Sequence, residues 1–406
     1  MPLNNKMKEN NKIEKLILIL SFVLVIAFPY LTYLFSINKD YKSELSGSEE
    51  KVELSFENLD DYILQNFPGR ENLIKTKNQL LYSLFDVSPN VNITKIGDTL
   101  LSTETINYYL HGLYNVEDEE IDSLARKFNT FKEYCIKNNK KLAIILTPCK
   151  ARYYEGKFPF VDDIINLYDK KSIDVDKKVQ NVEYNAETLK KEIRPVDKLK
   201  IKLKEYNINF FDSIDYIDNH KEKFLGGEVP LFYNSGHHWS IYKGNLLGID
   251  FHDYLRKTLD IKIPLLSVKA SPSDIAIYPD SDLFDVLNVY EKPNEKFYES
   301  VVTYENYNIG ETNFLVQGGS FLGALLIPQI TVSPFGEVTH IENKSMFMNR
   351  YQDLISFDSY DEINNKYNLL KVCKEADVYI FEIHELNVYN ATFGLLDYLI
   401  EHMGEI

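Results

Sequence analysis

The hydrophobic pattern changes character once, near the front of the chain. From Leu16 to Ile37 it reads LILILSFVLVIAFPYLTYLFSI, with only Ser21, Pro29, Thr32 and Ser36 interrupting the apolar and aromatic residues. That is the length a helix needs to cross hydrocarbon. Lys6, Lys8, Lys12 and Lys15 precede it, and the positive-inside bias then keeps the short tail in the cytoplasm and the remainder outside. A cleaved signal peptide is the alternative, but the run is long for one and no small-x-small site follows it. The expected organisation is a cytoplasmic tail at 1–15, a transmembrane anchor at 16–37, a polar stalk at 38–59 and one extracellular domain at 60–406.

Within that domain, helical and strand-like periods alternate. In EDEEIDSLARKFNTFKEYCIKNNKKLAIILTPCK, Ile121, Leu124, Phe128, Phe131 and Cys135 recur at helical spacing, and acidic residues open the first turn. A buried-type strand, Leu142 to Leu146, follows, and Pro148 closes it. The same grammar predicts a helix at Val196 to Tyr206, a strand at Asn209 to Phe211 ending at Asp212, and a strand at Asn313 to Val316. It then predicts a helix at Tyr360 to Lys374 and a strand at Val378 to Phe381. Helices alternating with short apolar strands predict an α/β fold with a mostly parallel sheet covered on both faces. Ligands of such folds gather at the carboxyl ends of the strands. Lys170 to Val182 and Lys257 to Pro279 lack a strong period and read as excursions or lid segments.

Composition narrows the partners. The 406 residues are 44% hydrophobic and carry a net charge of −16. Residues 1–37 hold four Lys and two Glu, so the chain beyond them carries −18, which excludes nucleic acid as a natural partner. Three cysteines, Cys135, Cys149 and Cys373, are too few and too odd in number for a disulfide framework; Cys135 and Cys373 read as small core residues.

Two short stretches carry candidate chemistry. In NFLVQGGSFLGALL, a strand, two glycines and Ser320 precede an apolar helix. Such a turn can present a nucleophilic hydroxyl, with amides of the turn, those of Ser320 and Gly318, as oxyanion donors. A plain serine cap with turn glycines is the structural alternative. The other is GHHW, Gly236 to Trp239, which contains the only tryptophan. Adjacent residues of an extended segment point to opposite sides, so His237 and His238 make a poor metal pair, and one of them is the working base or a satisfied structural residue.

The order of these pieces resembles the SGNH-hydrolase-like proteins of exopolysaccharide O-acetylation, the alginate AlgJ/AlgX type, and their Gram-positive relatives named for an Asp-His-His-Trp (DHHW) motif. The likeness runs from about Tyr62 to Asn387. Besides GHHW and GGS it includes FPGREN (Phe67 to Asn72), KIGDTLL (Lys95 to Leu101), LTPCKARYY (Leu146 to Tyr154) and ADVYIFEIHELN. It implies a three-layer SGNH-like domain with His238 as base and Ser320 as acyl carrier. His237 would face away or support the loop. Trp239 would anchor the loop by packing or touch the acceptor, and Arg70 would form a salt bridge or contact substrate. Glu382, His384, Glu385 and the HIENK stretch (His340 to Lys344) follow strands and could rim the site or be solvated strand ends.

Two positions depart from the pattern: Gly236 stands where the family carries an aspartate, and Gly319 where Gly-Asp-Ser is common. Asp212 and Glu228 are the candidate substitutes for the missing carboxylate. The resemblance further implies no metal and no tightly bound cofactor. The implied acceptor is a cell-surface polysaccharide, with a membrane-bound O-acyltransferase as partner and the lipid bilayer reached through the N-terminal helix. Acetyl transfer, acetyl-ester hydrolysis and a non-catalytic assembly or binding role all remain open at this level.

Overall fold

A computed structural model describes residues 70–111, 116–157, 194–305, 312–323, 338–342, 345–348 and 355–406. The expected tail, anchor and stalk, and the stretch Lys170 to Val182, lie outside these residues. Among the described residues no helix is long and apolar enough to cross a membrane.

The chain divides into two units, Met1–Pro89 with Leu287–Lys292, and Asn90–Val286 with Pro293–Ile406. In the first, helix α1 (Arg70–Leu84) binds the 287–292 segment. Gln79 Oε1 accepts from the amides of Tyr290 (2.8 Å) and Glu291 (3.1 Å), and Asn78 Nδ2 donates to the Leu287 carbonyl at 2.9 Å.

The second unit begins with a hairpin, β1 (Ile93–Ile96) and β2 (Thr99–Ser102), turned at Gly97 with φ +58°. Helices α2 (Thr103–His111) and α3 (Asp118–Lys137), strand β3 (Lys141–Thr147), a 3-10 turn at Lys150–Lys157, and α4 (Pro195–Glu205) follow. Next come β4 (Phe211–Asp212), α5 (Ser213–Asn219), α6 (Lys221–Phe224), α7 (Ile241–Leu259), β5 (Leu265–Ser273), the single turn α8 (Asp282–Asp285) and β6 (Phe297–Glu305). The remainder is β7 (Phe314–Gly318), α9 (Ser320–Gly323), β8 (Val338–Glu342), β9 (Ser345–Met348), β10 (Ile355–Ser356), α10 (Tyr360–Tyr367), α11 (Leu369–Glu375), β11 (Val378–His384) and α12 (Leu395–Glu401).

The main sheet has the order β10-β9-β8-β7-β11-β3-β4. Its five strands β8, β7, β11, β3 and β4 run parallel, and β9 and β10 add antiparallel at one edge. The fold is therefore α/β with a mostly parallel sheet. The central strands are buried on both faces, so alternate residues serve two cores. Ile144, Leu146, Phe381 and Ile383 pack with Phe128 and Phe131 of α3, Leu199 of α4 and Leu395 of α12. Ala143, Ile145, Ile380 and Val316 pack with Leu247 and Phe251 of α7, with Trp239 and with Phe321. Phe131 meets Tyr379 edge-on at 4.9 Å, an arrangement worth about 0.5–1.5 kcal/mol beyond area burial. Helix α3 has Asp118, Glu119 and Glu120 at its start and Lys137 in its last turn, complementing the helix dipole.

Three expectations change in detail. The helix expected over Tyr360 to Lys374 is two, α10 and α11, broken at Asn368, whose φ of 55° ends the first. Lys257 to Pro279 is only partly an excursion: α7 continues to Leu259, and β5 pairs with β6 over nine residue pairs in an antiparallel ribbon. Strand β4 begins at Phe211 and takes in Asp212. The three cysteines are buried and unbonded.

Candidate active site

Because β3, β7 and β11 are parallel, their carboxyl ends meet at one edge of the sheet. Alternation aims Thr147, Gly318, Glu382 and His384 toward the side where Trp239 is buried. Gly318 has no room for a side chain: a Cβ there would lie 2.7 Å from Glu382 Cβ and 2.8 Å from Leu322 Cδ2. The Glu382 carboxylate, itself buried, accepts hydrogen bonds from Thr147 Oγ1 and from the Gly319 amide, the latter at 2.8 Å. These contacts fix the turn. Ser320 leaves it exposed at the first position of α9, while Phe321 and Leu322 are buried behind. A side chain at Gly319 would start 3.6 Å from Glu382 Oε2, so an aspartate there would bring a second negative charge against the first.

His238 lies over this serine. Its Nε2 is 2.7 Å from Ser320 Oγ and its Nδ1 is 2.6 Å from Asp282 Oδ2. The carboxylate accepts the Nδ1 proton, which leaves Nε2 with a lone pair for the serine hydroxyl. Asp282 Oδ1 accepts from the His237 amide at 2.6 Å and from the Leu283 amide at 2.9 Å. Burial pushes the Asp282 carboxyl up, but the hydrogen bond and charge of His238 and the His237 amide outweigh it and hold its pKa below the usual range. Serine, imidazole and carboxylate thus form one hydrogen-bonded line, the arrangement that lets a hydroxyl lose its proton to a neutral base and a carboxylate stabilise the resulting imidazolium.

The carboxylate is neither of the two anticipated. Asp212 caps α5 by accepting from the Asp215 amide at 3.1 Å and pairs with Lys200 at 2.9 Å. Glu228 is on the surface, where it accepts from Tyr298 Oη at 2.8 Å. Asp282 comes instead from α8, which is pinned by the Phe284 amide donating to the Ser235 carbonyl at 3.0 Å and by the buried Phe284 ring. Gly236 now has a physical reason. A Cβ there would lie 2.5 Å from the Asp280 carbonyl oxygen and 3.1 Å from its carbon, so the segment that delivers Asp282 occupies the space of a side chain at 236.

His237 does not face away. Residues 237 and 238 form a bend and not an extended strand, so the alternation rule fails, and the two rings lie 5.1 Å apart edge to face. Both touch Phe321, at 5.6 and 4.9 Å. Burial, with His238 alongside, pushes the His237 pKa down and favours its neutral ring. Trp239 is fully buried, edge-on to Phe321 at 5.3 Å, and offers no surface to a substrate; its role is packing. His384 also packs on Phe321, tilted at 4.3 Å, and is held neutral by burial, its pKa lowered to about 4. Glu382, His384 and Glu385 are buried structural residues and not a solvated rim; Glu385 accepts from the Cys149 amide at 2.5 Å and pairs with Arg152 at 2.8 Å. His340, at the start of HIENK, is likewise buried within β8. Gly318 is enclosed within β7, and the Gly319 amide is taken by Glu382; the Ser320 amide opens α9. Arg70 is exposed at the start of α1, in the other unit. Among the described residues no group of His, Cys, Asp and Glu could hold a metal ion.

No family model matches the chain, and no curated protein does. Among solved structures it is similar to the O-acetyltransferase domain of Pseudomonas putida AlgJ, with 11% identity and a TM-score of 0.41 over 72% of this chain and 90% of that one. It is also similar to Bacillus cereus PatB1 with a sulfonyl adduct, with 10% identity and a TM-score of 0.44 over 75% and 97%. The third is Pseudomonas aeruginosa AlgX, with 12% identity and a TM-score of 0.43 over 75% and 66%. The AlgJ/AlgX type resembled in the sequence motifs is thus also found among the structural neighbours.

Proposed function

We propose that this protein is a membrane-anchored, outward-facing serine O-acyltransferase with an SGNH-like domain, which moves an acyl group, most simply acetyl, onto hydroxyls of a cell-surface polysaccharide. The observation that carries the reading is the line Ser320–His238–Asp282, with hydrogen bonds of 2.7 and 2.6 Å. Ser320 Oγ attacks the donor carbonyl as its proton passes to His238 Nε2, and Asp282 stabilises the imidazolium. The Ser320 amide would serve as the donor to the charge that develops on the carbonyl oxygen. Collapse expels the donor's leaving group, which takes the proton from His238, and leaves acyl-Ser320. A sugar hydroxyl then gives its proton to Nε2 and takes the acyl group, restoring the free serine.

The polymer, the anchor at 16–37 and a membrane-bound O-acyltransferase that supplies acyl groups from inside the cell rest on the motif resemblance and on the apolar run. An acetyl esterase would use the same three residues, and exposure of Ser320 to solvent favours it as the second reading. The deciding experiment gives the purified protein a chromogenic acetyl ester with and without an oligosaccharide acceptor. Acetylated oligosaccharide that disappears in Ser320→Ala supports transfer. Ester cleavage with no acetylated acceptor supports hydrolysis, and ester turnover that survives Ser320→Ala at normal protein level removes the serine mechanism.

A further inference from the structure

Lys150 closes the LTPCK stretch at the end of β3 and is wholly buried, 0% exposed. A buried ammonium is costly unless its protons are matched. Here its three N–H groups are shared among four carbonyls, those of Leu100 (2.7 Å), Tyr233 (2.7 Å), Asn234 (3.0 Å) and Gly236 (2.7 Å). Three of them belong to the loop that leads into His237 and His238.

The amides of the same peptide units are bound from the other end. Glu295 accepts from the Asn234 amide at 2.6 Å and from the Ser235 amide at 2.9 Å. The peptide joining Gly236 to His237 has Lys150 on its carbonyl and Asp282 on its N–H, at 2.7 and 2.6 Å. One cation therefore faces two carboxylates, Glu295 and Asp282, through three peptide groups, each polarised from both sides. Nothing in the serine mechanism uses Lys150 or Glu295, and a loop held only by packing would not require a charge at this depth.

We infer that Lys150 is a positioning residue of the catalytic line: through the Gly236–His237 peptide it sets where Asp282, and hence the His238 ring, stands relative to Ser320. Glu295 completes the same clamp by fixing the two preceding peptides. The inference rests on the acyl-serine reading for its effect on rate, but its geometry is independent of which acyl group moves. Burial draws the Lys150 pKa down to about 7 while Glu295 and Asp282 draw it back up, so the clamp carries its charge at acidic pH and gives it up as pH rises through about 7. Tyr154, whose ring lies 5.6 Å from Nζ, and His237 are the other titratable groups near it.

The test uses the full-length chain and two variants, Lys150→Met, which keeps length without charge, and Glu295→Gln. Two readouts are taken: inactivation of Ser320 by an aryl sulfonyl fluoride, split into reagent affinity and maximal rate, and the downfield proton resonance of the His238 Nδ1–H···Asp282 bond. Lys150→Met is expected to lower the maximal inactivation rate about 100-fold with unchanged reagent affinity, the scale of a small misplacement of a reacting group, and to shift or abolish the downfield resonance. Glu295→Gln is expected to do the same to a smaller extent. A folded Lys150→Met that reacts within about threefold of wild type with its resonance unmoved overturns the inference. Where Lys150→Met does not fold, Glu295→Gln decides, and an unmoved resonance with an unchanged rate overturns it equally. If the wild-type chain fails to react, the acyl-serine reading falls, while the resonance in the variants still judges the clamp.

Discussion

Ser320 and Asp282 touch the same imidazole from opposite ends, yet they come from unlike pieces of chain. Ser320 follows a buried parallel strand whose neighbours on both sides fix its register, and the turn beneath it is tied to Glu382. Asp282 rides on a single turn after an irregular stretch, held by one amide, one buried ring and its own contact with the loop. A nucleophile must stand at one point relative to the attacked carbon, and a strand end supplies that point. The acid only has to meet Nδ1, so any segment that can reach the outer edge of the imidazole can bring it. The position the resembled family gives to an aspartate is here a glycine, and its space is filled by the backbone that carries the substitute.

Removing the acid's charge strikes this contrast hardest. Asp282→Asn should lower kcat by about 10³–10⁴ with the fold intact, because the wrong His238 tautomer is then favoured. Steady-state ester turnover measures it, and a loss under about tenfold would mean that the line through Asp282 is not used. Gly236→Asp comes next. Restoring the family's residue should lower activity, by about 10²-fold, because the new Cβ drives the Asp280 backbone and with it Asp282 away from His238. Placed in an Asp282→Ala background it should not rescue; recovered turnover would show that the acid moves freely between the two positions. His237→Ala should cost less, at most about tenfold, because its bond to Asp282 is made by the backbone amide, which alanine keeps.

The smallest effect is on stability alone. Asp280 is buried beside the same segment and accepts from the Ile241 amide at 3.0 Å, and burial raises its pKa from 3.8 to about 7. Between these values the folded chain keeps a proton that the unfolded chain has released, so stability falls as pH rises from about 4 to about 7. Asp280→Asn should flatten that part of the melting-temperature profile. An unchanged slope would show that Asp280 ionises normally in the fold.

How much of this could be read from sequence follows the same division. Helix α3 and strands β3 and β11 show in the apolar periods because each has a face, or two, turned to a core. Ser320 and His238 show because a strand-Gly-Gly-Ser-helix junction and a His-Trp pair are local patterns. Asp282 is separated from His238 by 44 residues, in a stretch with neither period nor motif, and only the folded chain brings them together. The ribbon of β5 and β6 escaped for a related reason: most β5 side chains are exposed, so burial wrote no alternation into them. The expectation that His237 faces away fails because 237 and 238 form a bend, where alternation does not apply. Lys150 lay within a resembled segment, but no pattern along the chain distinguishes a lysine that binds four carbonyls from one in water.

Trp239 is the only tryptophan in the chain, follows His238 directly and is 0% exposed, with its indole N–H unmatched among the described residues. The molecule therefore carries one indole fluorophore, excited selectively at the red edge of the absorption where its tyrosines do not absorb, and that indole sits against Phe321, the same ring that backs His238. Its emission should be blue-shifted, as for an indole in a dry cavity. Protonation of the adjacent imidazole should quench it, so the state of the site can be followed by light at one wavelength with no label attached.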